Sequence, residues 1–241
     1  MNRLMQAIKT DAKVQFRNNL YHVGIIISVL IAAVVAGLVA PSQMVNVIPA
    51  MILLIIGGTT MLYVAGMVIF EKDEGTIAAT IVSPLKPSEY LIAKIASLVG
   101  LATLESLISI YGAILVQQLM GSAIYPNFIW LMVGILAIGV MYTLVGMAMV
   151  VRFKRITDFL IPMAAFSIIM QIPFLYFWGV FEHSALLIAP TSAPTMLIAG
   201  AFRPLELWEQ LYAIGYSAIW LIGLAWWARG AFQKHIIEKM G

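Results

Sequence analysis

The sequence predicts an all-α membrane protein with roughly six transmembrane helices of ~20 residues each. Composition is the first reason: 62% of the 241 residues are hydrophobic and only 10% charged, whereas a soluble domain approaches about a quarter charged. The second is the spacing of apolar runs, and the third is the placement of basic residues between them.

The N-terminal segment, 1–21, sets Leu4, Ile8, Ala12, Phe16 and Leu20 at four-residue intervals beside a row of Lys9, Lys13 and Arg17. That spacing is the mark of an amphipathic helix, expected to lie along the membrane surface with its basic row among anionic headgroups. It has no apolar core or cleavage site of a signal peptide.

Apolar runs follow at 22–40, 47–70, 91–120, 128–151, 159–180 and 207–228. The first two are joined by Pro41-Ser42-Gln43-Met44, short enough only for a turn. Pro162 and Pro173 are expected to kink the fifth, where neighbouring helices can satisfy the freed carbonyls. Trp226-Trp227 closes the sixth as an interfacial anchor. Segment 181–206 carries an apolar, charge-free stretch interrupted by Pro190 and Pro194, and reads as a re-entrant or surface-lying outer segment, with an apolar loop on the outer mouth as the alternative.

Six crossings put both termini on one side. Arg3, Lys9, Lys13 and Arg17 precede span one; Lys72, Lys86 and Lys94 fall between spans two and three or just beyond; Arg152, Lys154 and Arg155 follow span four; Arg229, Lys234 and Lys239 end the chain. Arg203 alone falls on the other side. By the positive-inside rule the termini are cytoplasmic, in the inner membrane.

The chain has no Cys, so disulfides and thiolate metal sites are excluded. It also lacks a phosphate-cradling Gly-x-x-x-x-Gly-Lys-Ser/Thr loop, a His-Glu-x-x-His zinc motif and a Gly-x-Ser-x-Gly elbow. His22, His183 and His235 fall at different ends of the predicted spans and cannot share a metal. A formal charge of +3 distributed by topology forms no nucleic-acid groove. An enzyme is therefore not expected.

Two features carry the functional reading. Residues 71–90 form a polar island with 6 of the 25 Lys, Arg, Asp and Glu residues. Its acidic opening suits a helix N-terminus, and Pro84 and Pro87 stop any helix that follows; alternatively it is only a solvated loop. The other feature is Glu105, roughly 21 Å along the helix from Leu91 at 1.5 Å per residue. A carboxylate at that depth must face the bundle or an aqueous path. Thr103, Ser106 and Ser109 are its candidate partners, in a substrate path or a buried polar clamp.

The order Phe70-Glu71-Lys72-Asp73-Glu74-Gly75-Thr76, then Ser83-Pro84-Leu85, then Glu89-Tyr90-Leu91 and Lys94 resembles the second-to-third-span signature of the ABC type-2 permease family. The layout of the whole chain is similar too, and small permeases of this form resemble the multidrug and antibiotic-efflux branch. The resemblance implies a permease that pairs with a second copy or a similar permease and docks on a separate ATPase, which holds ATP and Mg, through a short cytoplasmic coupling helix between spans two and three.

In that reading Glu71, Glu74, Gly75, Thr76, Ser83, Pro84, Leu85 and Glu89 form the coupling segment. Glu71 and Glu74 supply electrostatic contacts or helix-start charges, Gly75 permits close backbone approach and Thr76 caps. The cargo is expected to be a small amphipathic, drug-like molecule. Two other classes stay open: an ion-coupled secondary transporter with Glu105 as its proton site, and a non-transporting scaffold or immunity protein. Ala32, Ala36, Ala33 and Gly37 in span one allow close helix approach, within one subunit or between two.

Overall fold

The computed structural model describes residues 3–76, 86–121 and 123–238, and among these there is no β-strand. Helix α1 is Arg3–Arg17, α2 Leu20–Leu38, α3 Met44–Asp73, α4 Pro87–Leu119, α5 Phe128–Val150, α6 Ile156–Gln171, α7 Phe174–Phe177, α8 Ser192–Ala199 and α9 Leu207–Phe232. Six segments are long and apolar enough to cross a membrane. They are α2, α3 with its lead-in, α4, α5, α6 with α7, and α9 with the turn that follows it.

The central helices are α3 and α5, buried around much of their circumference, with Leu53, Ile56, Met61, Val64, Ile138, Met141 and Tyr142 fully enclosed. Flanking helices α2, α6 and α9 turn rows such as Ile26, Leu30 and Leu38, or Ile219 and Ile222, outward. Those rows meet the apolar solvent.

Turns follow local chemistry. A 3-10 turn, Pro41–Gln43, joins α2 to α3, and the Gln43 side chain accepts from the Ala40 backbone at 3.2 Å. Helix α4 begins with Pro at its first position and Glu89 accepting from the Lys86 N–H at 2.8 Å. Pro87 therefore opens span three, because its missing N–H is one the first turn leaves unpaired anyway. In span five, Pro162 stays inside α6, whereas Pro173 breaks the helix before the single turn α7.

One expectation needs correction. Helix α1 does form, but its inward face is polar: Asp11 and Gln15 are buried while Phe16 is 59% exposed. It runs lengthwise beside α4, with Asp11 on Lys94 and Gln15 on Ser97. The same register continues through Ser28 on Ser109 and Val39 on Gln117. A helix lying flat in the interface would diverge from a spanning helix; here α1 and α2 together flank one side of span three, separated by a bend at Asn19 with φ 60°.

For segment 181–206 the structure separates the alternatives. Its α8 is buried throughout and packs against α3, α5 and α9. Thr191 donates to the Met170 carbonyl, and the Asn127 N–H donates to Ala201 at 2.7 Å. A Cβ added at Gly134 would meet Ile198 and the Pro194 carbonyl, six residues and so ~9 Å down span four. The segment dips into the bundle and does not lie over it.

Candidate functional site

Polar groups are gathered along one seam, where α4 meets α1, α2 and α3. At the end of the bundle that carries most basic residues, Lys94 is 1% exposed. Its ammonium donates to Asp11 at 2.5 Å and to Glu71, and lies 5.3 Å from the Tyr90 ring centroid. The Tyr90 hydroxyl donates to the other Glu71 oxygen at 2.7 Å. Three elements are thereby tied to one cation: α1, the last turn of span two and the first turns of span three.

Burial pushes the Asp11 carboxyl up from its ordinary value, against the opposing pull of Lys94. A cavity of about 290 Å³ opens beside this cluster, lined in part by Asp11, Arg17, Glu71, Glu74 and Thr76.

Glu71 is thus not the opening of a coupling helix. The helix of span two continues through Asp73 because its apolar face still packs at Met67, Val68 and Ile69. Lys72 adds a second tie, donating to the carbonyls of Val151 and Phe153 at 2.9 Å and Val150 at 3.4 Å. These are the C-terminal carbonyls of span four, where a cation is favoured by the helix dipole.

Gly75 ends span two with φ +70°, the left-handed conformation that glycine adopts without a Cβ penalty. A Cβ there would meet no other atom of this chain within 4 Å, so within the subunit the glycine serves turn geometry. The Thr76 hydroxyl donates to the Glu71 carbonyl at 3.1 Å, satisfying the end of span two. Glu74 is exposed and Glu89 closes the capping box of span three. Ser83, Pro84 and Leu85, with the expected coupling helix, lie outside the described residues.

Glu105 is 1% exposed, roughly 16 Å along α4 from Lys94. Tyr63 donates to one of its oxygens at 2.7 Å and Thr59 to the other at 3.1 Å. Gly24 of span one faces it so closely that a Cβ would sit 2.0 Å from the carboxylate.

Its hydrogen-bond partners therefore come from span two, with span one packed against it at Gly24, and not from its own helix. Thr103 and Ser106 instead donate back to the Val99 and Ala102 carbonyls, and Ser109 donates across to the Ser28 carbonyl at 3.3 Å. The Thr59/Tyr63 pair was missed at the sequence level, although its i, i+4 spacing places both hydroxyls on one helical face. Ala32 and Ala36 are buried on the same seam, against Gly112 in the case of Ala32.

At the far end, Arg203 pairs with Glu209 through contacts of 2.5 and 2.8 Å. The aromatic group of span five divides there: Phe177 packs with Met196, Leu197 and Ala213, while Trp178 stays exposed. Among the described residues, no three His, Asp or Glu side chains converge as metal ligands.

Six helices long and apolar enough to span a membrane, with a polar seam between them and an inserted segment at one end, define a polytopic membrane protein. Residues 2–240 match the fluoroquinolones export permease protein family, and the chain belongs to that ABC-2-like family. It is similar to the fluoroquinolones export permease proteins of Mycobacterium tuberculosis strains CDC 1551 / Oshkosh and ATCC 25618 / H37Rv. Each is 28% identical over 248 aligned residues, covering 100% of this chain and 99% of the relative.

Proposed function

We propose that this chain is the membrane subunit of an ATP-driven exporter. It pairs with a second permease, as homodimer or heterodimer, and with a separate ATPase that holds ATP and Mg, and it carries a small amphipathic, drug-like cargo outward by alternating access. The observation that carries this reading is the family match across nearly the whole chain, together with relatives whose names specify fluoroquinolone export. No nucleotide-cradling motif occurs in the sequence, which supports placing hydrolysis on a partner and no catalysis here.

The basic end supports a docking role for the segment that follows Glu74. Glu71 and Lys72 bind that end of span two to α1, span three and the end of span four. A push on the connecting segment would reach all four elements through these contacts. The basic residues other than Arg203 support a cytoplasmic position for both termini and for this segment, in the inner membrane.

The test is reconstitution of the full chain with its ATPase in inside-out vesicles, reading ATP-dependent accumulation of norfloxacin. Glu74→Lys, at an exposed position, should leave assembly intact and remove most of the ATP-dependent signal. Accumulation driven by a proton gradient without ATP, and lost in Glu105→Gln, would replace this reading with an ion-coupled carrier. No transport under either driving force would favour a scaffold.

A further inference from the structure

Span six is longer than a hydrocarbon layer is thick. Leu207–Ile237 is 31 residues, ~46 Å at 1.5 Å per residue, against a ~30 Å hydrocarbon layer. Counted from Leu207, about 20 residues of helix reach Trp226 and Trp227, where indole rings favour the interface. On that count the turns beyond them, carrying Arg229, Lys234 and His235, fall at headgroup level.

A neighbouring element reaches the same level. Arg152 follows the end of α5, and its guanidinium lies 5.5 Å from the Trp227 ring centroid. Between the two elements is a cavity of about 690 Å³ lined by Arg152, Trp226, Trp227, Arg229, Lys234 and His235, with no acidic side chain among its lining residues. Arg152 and Arg229 make no salt bridge with a carboxylate among the described residues. Trp226 is 81% exposed on the apolar flank.

We infer that this cavity is a binding site for the phosphate of an anionic lipid headgroup. Two guanidinium forks can each take a phosphate edge in bidentate fashion, and the Trp227 face holds one of them in place by cation–π attraction. Lys234 adds a point charge. A lipid is favoured over soluble phosphate because the cavity adjoins Trp226 on the membrane flank, so acyl chains can remain in the bilayer while the headgroup enters sideways. Under the orientation proposed above this is the inner leaflet; the site itself does not depend on that orientation.

Native mass spectrometry of the full chain in detergent tests it without reference to sidedness. Wild-type protein titrated with phosphatidylglycerol should retain it in preference to phosphatidylcholine of the same acyl chains. Arg152→Gln with Arg229→Gln should weaken that retention roughly twenty-five-fold, about fivefold for each charge removed. Lys9→Gln with Lys13→Gln removes the same net charge from α1 and should change nothing.

Lys234→Gln, at an exposed position, gives a smaller loss in the same direction and serves if the double arginine variant does not fold. Equal retention of the two lipids by the wild type would overturn the inference, as would equal losses in the α1 control. Displacement of the lipid by millimolar inorganic phosphate alone would reassign the site to a soluble phosphate.

Discussion

At Glu105 the cost of a carboxylate in hydrocarbon is met by two hydroxyl donors from span two and by a glycine that lets span one close over it. Such bonds average ~0.6 kcal/mol in bilayers and reach about 1.7. Glu105→Ala should therefore destabilise by about 1–3 kcal/mol, since it also leaves the buried Tyr63 hydroxyl without an acceptor, while Thr59 keeps the Ile55 carbonyl. Gly24→Ala should be at least as costly, because its Cβ would overlap the carboxylate. In the Glu105→Ala background that overlap is gone, so Gly24→Ala should cost much less. Thermal unfolding of the four proteins of this cycle measures the coupling; additive losses would mean that the carboxylate does not occupy the gap. At Gly75 the positive φ decides: Gly75→Ala should cost about 1 kcal/mol through backbone strain, while Gly75→Asn should cost less because Asn tolerates that region. The strain also makes Glu74→Lys, rather than a bulky change at Gly75, the cleaner probe of coupling.

At the scale of elements, α1 shows what a periodic pattern can and cannot give. Its apolar row and exposed basic row were legible, and so was helicity. Its docking was not, because Asp11 and Gln15 look like solvent-facing residues until their partners Lys94 and Ser97, more than 80 positions away, are placed beside them. A separation of about 20 positions, across the connection between spans two and three, likewise hid the partners of Glu71, which reads locally as a helix-start charge yet ends one helix and neutralises another's lysine. Removing one partner of a buried ion pair leaves a bare charge, at a cost of about 3–5 kcal/mol. Lys94→Met should thus be severely destabilising, whereas Asp11→Asn should be milder because Glu71 remains as counter-charge. Limited proteolysis reads the element directly: Asp11→Asn should speed cleavage within α1 without altering cleavage at the far end. Acid gives a further signature. Burial raises the folded Asp11 value above 3.8, so its contribution favours the folded state most below that pH and declines as pH rises through the raised value. Asp11→Asn should flatten this part of the stability profile in detergent, and an unchanged slope would assign it to another group.

For the whole molecule, the number of spans, the clustering of basic residues at one end and the family layout were all present in the sequence, since hydrophobic length and charge placement act residue by residue. What the sequence left unresolved was which faces meet, and span one shows why this matters. Its two small-residue pairs split: Ala32 and Ala36 are buried along span three, while Ala33 and Gly37 face outward beside Leu30 and Val34. The first pair builds one subunit. The second leaves a smooth outward face where helices can approach closely, flanked by large apolar residues, as helix pairing in lipid requires. If the permease works as a homodimer through this face, Ala33→Cys should give a disulfide-linked dimer on mild oxidation of membranes, with no background because the chain has no native Cys. Ala36→Cys, turned into the bundle, should stay monomeric under the same conditions. Cross-linking through Ile222→Cys on span six, with Ala33→Cys remaining monomeric, would move the subunit contact to the opposite flank and leave the Ala33 and Gly37 face to lipid.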